Sequence, residues 1–466
     1  MMKAGEGLDK RFVLLVTTLA SFLMPFMGSS INVALPSIGK EFGMSATSLG
    51  WVATAFLLTG AIFQVPFGRM ADIRGRRKVF LLGILLQAAA SLVAGFSMSA
   101  AMLIASRALQ GIASAMTFGT AVAILTSVFP PDERGKVLGI NVTAVYTGLS
   151  TGPFVGGILT QYLGWRSIFL VTSPLWSLVL VLGLCKLKGE LAEAREEKFD
   201  CIGSLIYCVA LVGIIYGLSL LPSLGGAGSL LAGLFGLWAL VRYEARATSP
   251  VFDIRLFKDN RAFAFSNLAA LINYSATFAV GFLMSLYLQY IKGLRPQEAG
   301  LILLSQPVVQ AMFSFFSGKL SDRMEPRILA SMGMGITVAG LILLVFLDVG
   351  TGVGFIVGSL MLLGFGFALF SSPNTNAVMS SVEKRSYGVA SGILGTMRQT
   401  GMMFSMALVM ILFSMIMGRV QIAPENYSSF LKCIKITFGI SAFFCSGGVF
   451  ASLARGSLPS RQRSDP

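Results

Sequence analysis

Long apolar stretches broken by short polar segments recur along the whole chain, at 11–35, 49–67, 79–98, 102–129, 137–163, 168–187, 201–221, 230–240, 262–291, 299–320, 328–347, 353–370, 389–417 and 434–453. Most are long enough to cross a hydrocarbon core of about 30 Å as a helix, which takes about 20 residues. A lipid-exposed segment must satisfy its backbone hydrogen bonds internally, so the pattern predicts an all-α integral membrane protein of about fourteen transmembrane helices. An even number of crossings puts both termini on one side. The first stretch is too long for the apolar core of a signal peptide and has no small-residue cleavage site behind it. It is expected to stay as the first spanning helix and to act as the insertion signal.

Composition agrees with that solvent. Of 466 residues 55% are hydrophobic and only 12% charged, against about a quarter charged in an average soluble domain; mean hydropathy is +0.78. The net charge of +15 raises nucleic acid as a partner, and the position of the charges decides against it. About 27 of the 36 lysines and arginines fall on the side of the termini, among them Lys10, Arg11, Arg69, Arg74, Arg76, Arg77, Lys78, Arg134, Lys186, Arg242, Lys319, Lys384 and Arg455. About 7 fall opposite, including Lys40, Arg166, Lys292 and Arg295, while Arg107 and Arg398 lie within the membrane. Such asymmetry is the positive-inside pattern, which predicts cytoplasmic termini in an inner or plasma membrane. No arginine-aromatic interleaving of the kind that binds single strands is present.

Five cysteines, Cys185, Cys201, Cys208, Cys433 and Cys445, are odd in number, lack C-x-x-C spacing and fall mostly in apolar helices, where cysteine acts as a small hydrophobe. With no histidine in the chain, a zinc or haem site would lack its commonest ligand. No metal, cofactor or catalytic constellation is expected.

An internal repeat shows through. Gly68-Arg69-Met70-Ala71-Asp72 recurs 250 residues later as Gly318-Lys319-Leu320-Ser321-Asp322, and the Gly139, Gly148 pair recurs 253 residues later as Gly392, Gly401. That offset is longer than a bare six-helix unit. It predicts an N-terminal six-helix bundle over 1–190, two inserted helices with cytoplasmic linkers over 191–258, a C-terminal six-helix bundle over 259–456 and a cytoplasmic tail over 457–466. Paired halves of this kind are characteristic of alternating-access transporters, whose substrate site lies between them near the midplane.

Three strings carry mechanism. In Gly68 to Lys78, glycine allows a tight turn between helices, and Asp72 at the membrane boundary can hold an arginine or a positive helix end at about 0.3–2 kcal/mol. Arg107 sits within a helix with Gln110 on the same face. An arginine there costs several kcal/mol unless it faces protein or water, so it is a functional candidate, with a structural arginine bonded to carbonyls or snorkelling to the interface as the alternative. In Gly148-Leu149-Ser150-Thr151-Gly152-Pro153-Phe154-Val155-Gly156-Gly157, glycines at four-residue spacing clear one helix face for a neighbour and Pro153 frees a carbonyl and permits a bend. Close glycine packing alone is also common in membrane helices.

Together these strings resemble the major facilitator superfamily. Gly68, Asp72, Gly75 and Arg76 match its signature loop, Arg107, Gln110 and Gly111 its R-x-x-Q-G element, and Gly148, Gly152, Pro153, Gly156 and Gly157 its G-x-x-x-G-P-x-x-G-G antiporter signature. Asn32 to Pro36 ending the first helix, Trp51, Trp165-Arg166 and Phe199-Asp200-x-x-Gly203 are similar to the fourteen-helix drug/proton antiporter branch. The resemblance implies two six-helix bundles plus two inserted helices, and a multidrug or metabolite efflux antiporter working by alternating access. Its partners would be a small-molecule substrate, the lipid bilayer and protons as the coupling ion. It also implies a cytoplasmic latch, with Asp72 meeting the start of the thirteenth helix near Ser386 to Gly388 and Asp322 meeting the region of Arg134.

One departure matters. Members of this branch commonly carry an acid five positions before the residue corresponding to Asn32, where Met27 stands here, and no Asp or Glu falls clearly inside a predicted helix. The substrate cavity is then expected to draw on Asn32, Gln64, Arg107, Gln110, Tyr146, Asn273, Gln306, Asn374 and Arg398, with Arg107 the dominant charge. Each of these polar residues can equally be helix-helix glue. Two arginines and no acid favour neutral or anionic ligands, and a moving proton is expected on the substrate or on a boundary acid such as Asp72 or Asp200. A facilitator or symporter for a neutral or anionic metabolite is the alternative within transport. A membrane enzyme, or a sensor that keeps the fold without transport, is the alternative outside it.

Overall fold

A computed structural model describes residues 9–187, 199–221, 223–244, 257, 260–321, 324–382, 387–418 and 420–456. Among these the regular elements are all helical, and fourteen spans are long and apolar enough to cross a membrane. The first eight are single helices: α1 Lys10–Phe42, α2 Ala46–Arg74, α3 Arg76–Gly95, α4 Ala100–Val128, α5 Pro131–Leu163, α6 Arg166–Lys186, α7 Cys201–Leu220 and α8 Leu224–Glu244. The ninth span divides into α9 Arg261–Thr277 and α10 Ala279–Leu286 with a π-helical turn Tyr287–Ile291, and the tenth into α11 Pro296–Leu303 and α12 Ser305–Ser321. Then follow α13 Pro326–Val345, α14 Val353–Ser380, α15 Tyr387–Leu412 and α16 Tyr427–Ala454.

Local chemistry sets the ends. Asp9 accepts from Arg11 N, Ser45 from Ser48 N, Asp200 from Gly203 N and Asn260 from Phe263 N, each satisfying an amide that a helix start leaves without a partner. Gly43 closes α1 at φ +60°, the left-handed geometry glycine adopts without penalty.

Helix α1 corrects one expectation, because it runs through Pro36 to Phe42 instead of ending at Pro36. Proline removes the donor that would bond the carbonyl four residues back. The carbonyl so released is that of Asn32, and the Ser285 hydroxyl donates to it at 2.6 Å. A neighbouring helix thus supplies the missing bond, which is how membrane helices tolerate internal proline.

The chain forms two compact units. The first comprises Met1–Phe252, Ala279–Leu304 and Met406–Cys433. In it α1 packs on α5 and α6, α2 on α4, α3 on α4 and α6, and α7 on α8, while α10 lies against α1 and α11 against α5. Val13, Val16, Phe80, Ile84, Ile124 and Trp176 form a shared core. At the ends of these helices remote from the chain termini, Ala46 N donates to Val420 O at 3.0 Å and Gln421 Nε2 to Gly43 O at 3.1 Å. There too Arg166 pairs with Glu41 at 2.7 Å and bonds Ser97 O at 2.8 Å, tying α6 to α1 and to the end of α3.

The second unit comprises Asp253–Phe278, Ser305–Ser405 and Ile434–Pro466. Here α14 is central, packing on α9, α12 and α13. Gly333 of α13 meets α14 at backbone distance, since a methyl there would stand 2.6 Å from Gly366 O.

Candidate functional site

The glycine string of α5 lies on two neighbours at once, both within the first unit. On one face Gly148, Gly152 and Gly156 abut α1: a methyl on Gly148 would overlap Phe22 O, one on Gly152 the Ser29 hydroxyl, and one on Gly156 would stand 2.7 Å from Ser30 Cα. Hydroxyls stitch the same seam, Ser30 Oγ donating to Gly152 O at 2.9 Å. On the other face Gly157 meets α11, where a methyl would stand 2.6 Å from Pro296 O, and Gly300 of α11 is pressed against the Pro153 carbonyl. Ser29, Ser30 and Gly300 were not expected from the sequence. A serine pair inside an apolar helix was the available signal.

Arg107 is enclosed. It is 1% exposed, donates from Nε to Val52 O at 3.1 Å and from Nη1 to Gln110 Oε1 at 2.6 Å, and lies 4.5 Å over the Phe56 ring. Gln110 Nε2 continues to Ser91 Oγ at 3.0 Å. Ser91 and Gln87 both point donors at the sulfur of Met27, at 3.8 and 3.6 Å. One polar chain therefore runs α2, α4, α3, α1 and ends on a thioether where relatives are expected to carry an acid.

The remaining cavity candidates fall into separate groups. Asn32 is half-buried beside α10; its carbonyl takes Ser285, and Gln289 Nε2 bonds Val33 O at 2.9 Å. Gln64, Tyr146 and Gln306 are half-buried, and Asn273 is fully buried. In the second unit Arg398 is half-buried, with Nη2 on Thr375 Oγ1 at 2.6 Å and its guanidinium 5.6 Å from the Tyr274 ring. Its Nε has no hydrogen-bond partner among the described residues.

Asn374 is buried away from open space. Its Nδ2 donates to Ser266 O at 3.0 Å, and its Oδ1 accepts from Arg455 at 3.2 Å. Arg455, 3% exposed, also bonds Ser266 Oγ, Pro326 O and both oxygens of Ser452. All five of its N–H donors are thus used, two on Ser452 of α16 itself and three that pin the end of α16 to α9, α13 and α14. Burial, and secondarily Arg327, lower the Arg455 guanidinium to about 10, still protonated at neutral pH.

In the signature loop Gly75 turns the chain at φ +117° between α2 and α3, while nothing crowds Gly68. Arg76 donates from Nε and Nη2 to Asp72 Oδ1, each at 2.8 Å, and reaches Ser127 of α4. Of the expected latch residues, Ser386 and Asp322 lie outside the described residues. Asp72→Asn removes the negative charge that holds Arg76, so flux is expected to fall several-fold and cysteine accessibility at the terminal side to rise, with protein levels kept. Unchanged flux and accessibility would free Asp72 from any gating part.

Residues 17–406 match the Major Facilitator Superfamily. The Riboflavin transporter RibZ of Clostridioides difficile (strain 630) is 25% identical, covering 96% of this chain and 97% of its own. The Multidrug resistance protein Stp of Mycobacterium tuberculosis (strain ATCC 25618 / H37Rv) is 31% identical over 83% of this chain and 73% of its own. The Cephamycin export protein CmcT of Amycolatopsis lactamdurans is 32% identical over 85% and 84%. Among solved structures, a bacterial homologue of the human lysosomal transporter Spinster, inward-facing and unoccupied, superposes with a TM-score of 0.66 at 19% identity over 96% of this chain and 97% of that one, a likeness of fold. A family match running from within α1 into α15 admits one assignment: this chain belongs to the Major Facilitator Superfamily, and it is a membrane transporter rather than an enzyme.

Proposed function

We propose that the chain exports a small neutral or anionic organic molecule across the cell membrane by alternating access, with both termini cytoplasmic. The observation that carries this reading is the α5 seam, where glycines let α1 and α11 approach to backbone contact on opposite faces. A joint without interlocking side chains can part and re-form between two packed states. The relatives at 31% and 32% identity, a multidrug resistance protein and an export protein, support the outward direction.

Charge supports the substrate class. Among the described residues every Asp and Glu falls by position at a helix end or in a loop: Asp9, Asp200 and Glu325 precede helices, Glu41, Asp72 and Glu244 close them, Asp132, Glu133 and Glu298 open them, and Asp348 and Glu425 lie between them. Arg107 and Arg398 are, among the described residues, the arginines that stand away from helix ends, while Lys435, half-buried, lies within α16 and Arg455 is buried at its close. Arg107 supplies fixed positive field from behind Phe56, and Arg398, with a spare Nε donor, meets the anionic or polar part of the substrate. Exchange with a proton then needs the substrate or a boundary acid to carry it. A second reading, a facilitator, is favoured by the thioether of Met27 at the end of the Arg107 network.

Cells stripped of their own pumps, loaded with a chemically varied set of labelled compounds, distinguish the readings. Wild type is expected to lower the steady accumulation of at least one neutral or anionic compound relative to Gly152→Leu. Raised accumulation in wild type would mean import.

A further inference from the structure

Helices α7 and α8 form a tight pair, since a methyl on Gly213 would stand 3.1 Å from Gly233 Cα and one on Gly233 2.7 Å from Ala210 O. The pair is fastened to α2 by two bonds, Tyr207 Oη to Ala61 O at 3.1 Å and the Cys208 thiol to Ile62 O at 3.7 Å. The Ile62 carbonyl is the one that Pro66 leaves without its helical donor. Beside these fastenings a cavity of about 510 Å³ lies between α2, α7 and α8.

No charged side chain lines it. Thr59 shares its one hydroxyl proton between Ala108 O at 2.7 Å and Ala55 O at 2.9 Å, Cys208 gives its thiol to Ile62 O, and the remaining polar side chain of the lining is the hydroxyl of Ser229. The walls come from the middle of three membrane spans. Val209 is 62% and Val212 43% exposed, so the cavity runs unbroken into the apolar outer face that α7 and α8 show through Leu205, Leu231 and Phe235. That face must be solvated by hydrocarbon, because the helices cross the bilayer.

We propose that this cavity is a lipid site that takes one acyl chain of a bilayer phospholipid, the headgroup staying at the interface. Walls of a hollow without occupant lose their dispersion partners. Here the surrounding fluid is itself acyl chain, open to the cavity from the side, and the lining offers a polar ligand no unspent charge. The chain of a lipid completes the packing that the two fastenings leave undone between the inserted pair and α2.

The test uses the full-length protein in bilayer nanodiscs with a phospholipid carrying a diazirine near the end of one acyl chain, and maps crosslinks by mass spectrometry. Crosslinks at Phe63, Val209 and Val212 are expected to exceed those at Leu205 and Phe235 several-fold. Ala232→Trp, which fills the cavity from an exposed position, should abolish that excess while leaving Leu205 and Phe235 labelled as before. Val212→Phe fills it from the opposite wall and serves if the first variant is poorly folded. Equal labelling of cavity and outer face, or an excess that survives both substitutions, would overturn the proposal. So would displacement of the crosslinks by a transported apolar compound, which would make the cavity a substrate entrance instead.

Discussion

Flux through Gly152→Leu is expected to fall to background, at least about tenfold below wild type, in a protein inserted at normal levels. A leucine there must displace the Ser29 hydroxyl and the Phe26 carbonyl, which stands 2.7 Å from where even a methyl would lie. Forcing such bulk into a packed seam costs about 1–3 kcal/mol, and it does so at the contact where α5 meets α1. Insertion is set by the apolar length of the helix and should survive. Gly139 of the same helix supplies the control, because nothing lies within 4 Å of a methyl built there. Gly139→Leu should transport nearly as wild type does. Full activity in Gly152→Leu would reduce the seam to a sequence resemblance.

Arg107→Gln is expected to lose at least about tenfold in flux, and Arg107→Lys to fail comparably. The guanidinium reaches Val52 O, Gln110 Oε1 and the Phe56 face together. Glutamine removes the charge and is too short to reach Val52 O and Gln110 Oε1 together, and a buried group left unpaired costs about 1–3 kcal/mol. Lysine keeps the charge as a compact ammonium that cannot reproduce the planar fork or the stacking. Flux measured beside protein yield separates loss of transport from loss of fold. Normal flux in Arg107→Gln would remove the fixed charge from the mechanism, and normal flux in Arg107→Lys alone would show that field suffices without geometry.

The sequence made the spans legible because hydrophobic length is a strong, local signal, and fourteen of them stand among the described residues. What it blurred were interruptions set by partners. The expected eighth stretch, 230–240, stopped short of α8 Leu224–Glu244. The opening Gly225-Gly226 lowers hydropathy, yet Gly226 is there because it packs against Leu220 of α7. The division of the tenth span at Leu304 lies just before Pro307, a cue present in the sequence; the division of the ninth at Phe278 has no such cue. At the site, the residues of the R-x-x-Q-G element, Arg107 and Gln110, do bond to each other. Their burial was not readable, since one helix face cannot tell whether Phe56 or a substrate will cover it. Asn374 looked like any polar residue in a membrane helix, and only the distant Arg455 gives it a structural partner.

Met27 stands where a proton-carrying carboxylate is expected, which leaves Arg107 and Arg398 to act as fixed charge. Purified protein in sealed proteoliposomes, given a substrate identified by the accumulation screen, allows the proton gradient to be imposed, reversed or omitted while flux and internal pH are both followed. For a substrate without a titrating group, flux down its own gradient should persist with no pH gradient and change less than about twofold when one is imposed, since arginine stays protonated throughout. Strict dependence of that flux on the proton gradient, with stoichiometric proton movement, would contradict transport by fixed arginine charge alone and assign the proton to a carboxylate of the chain.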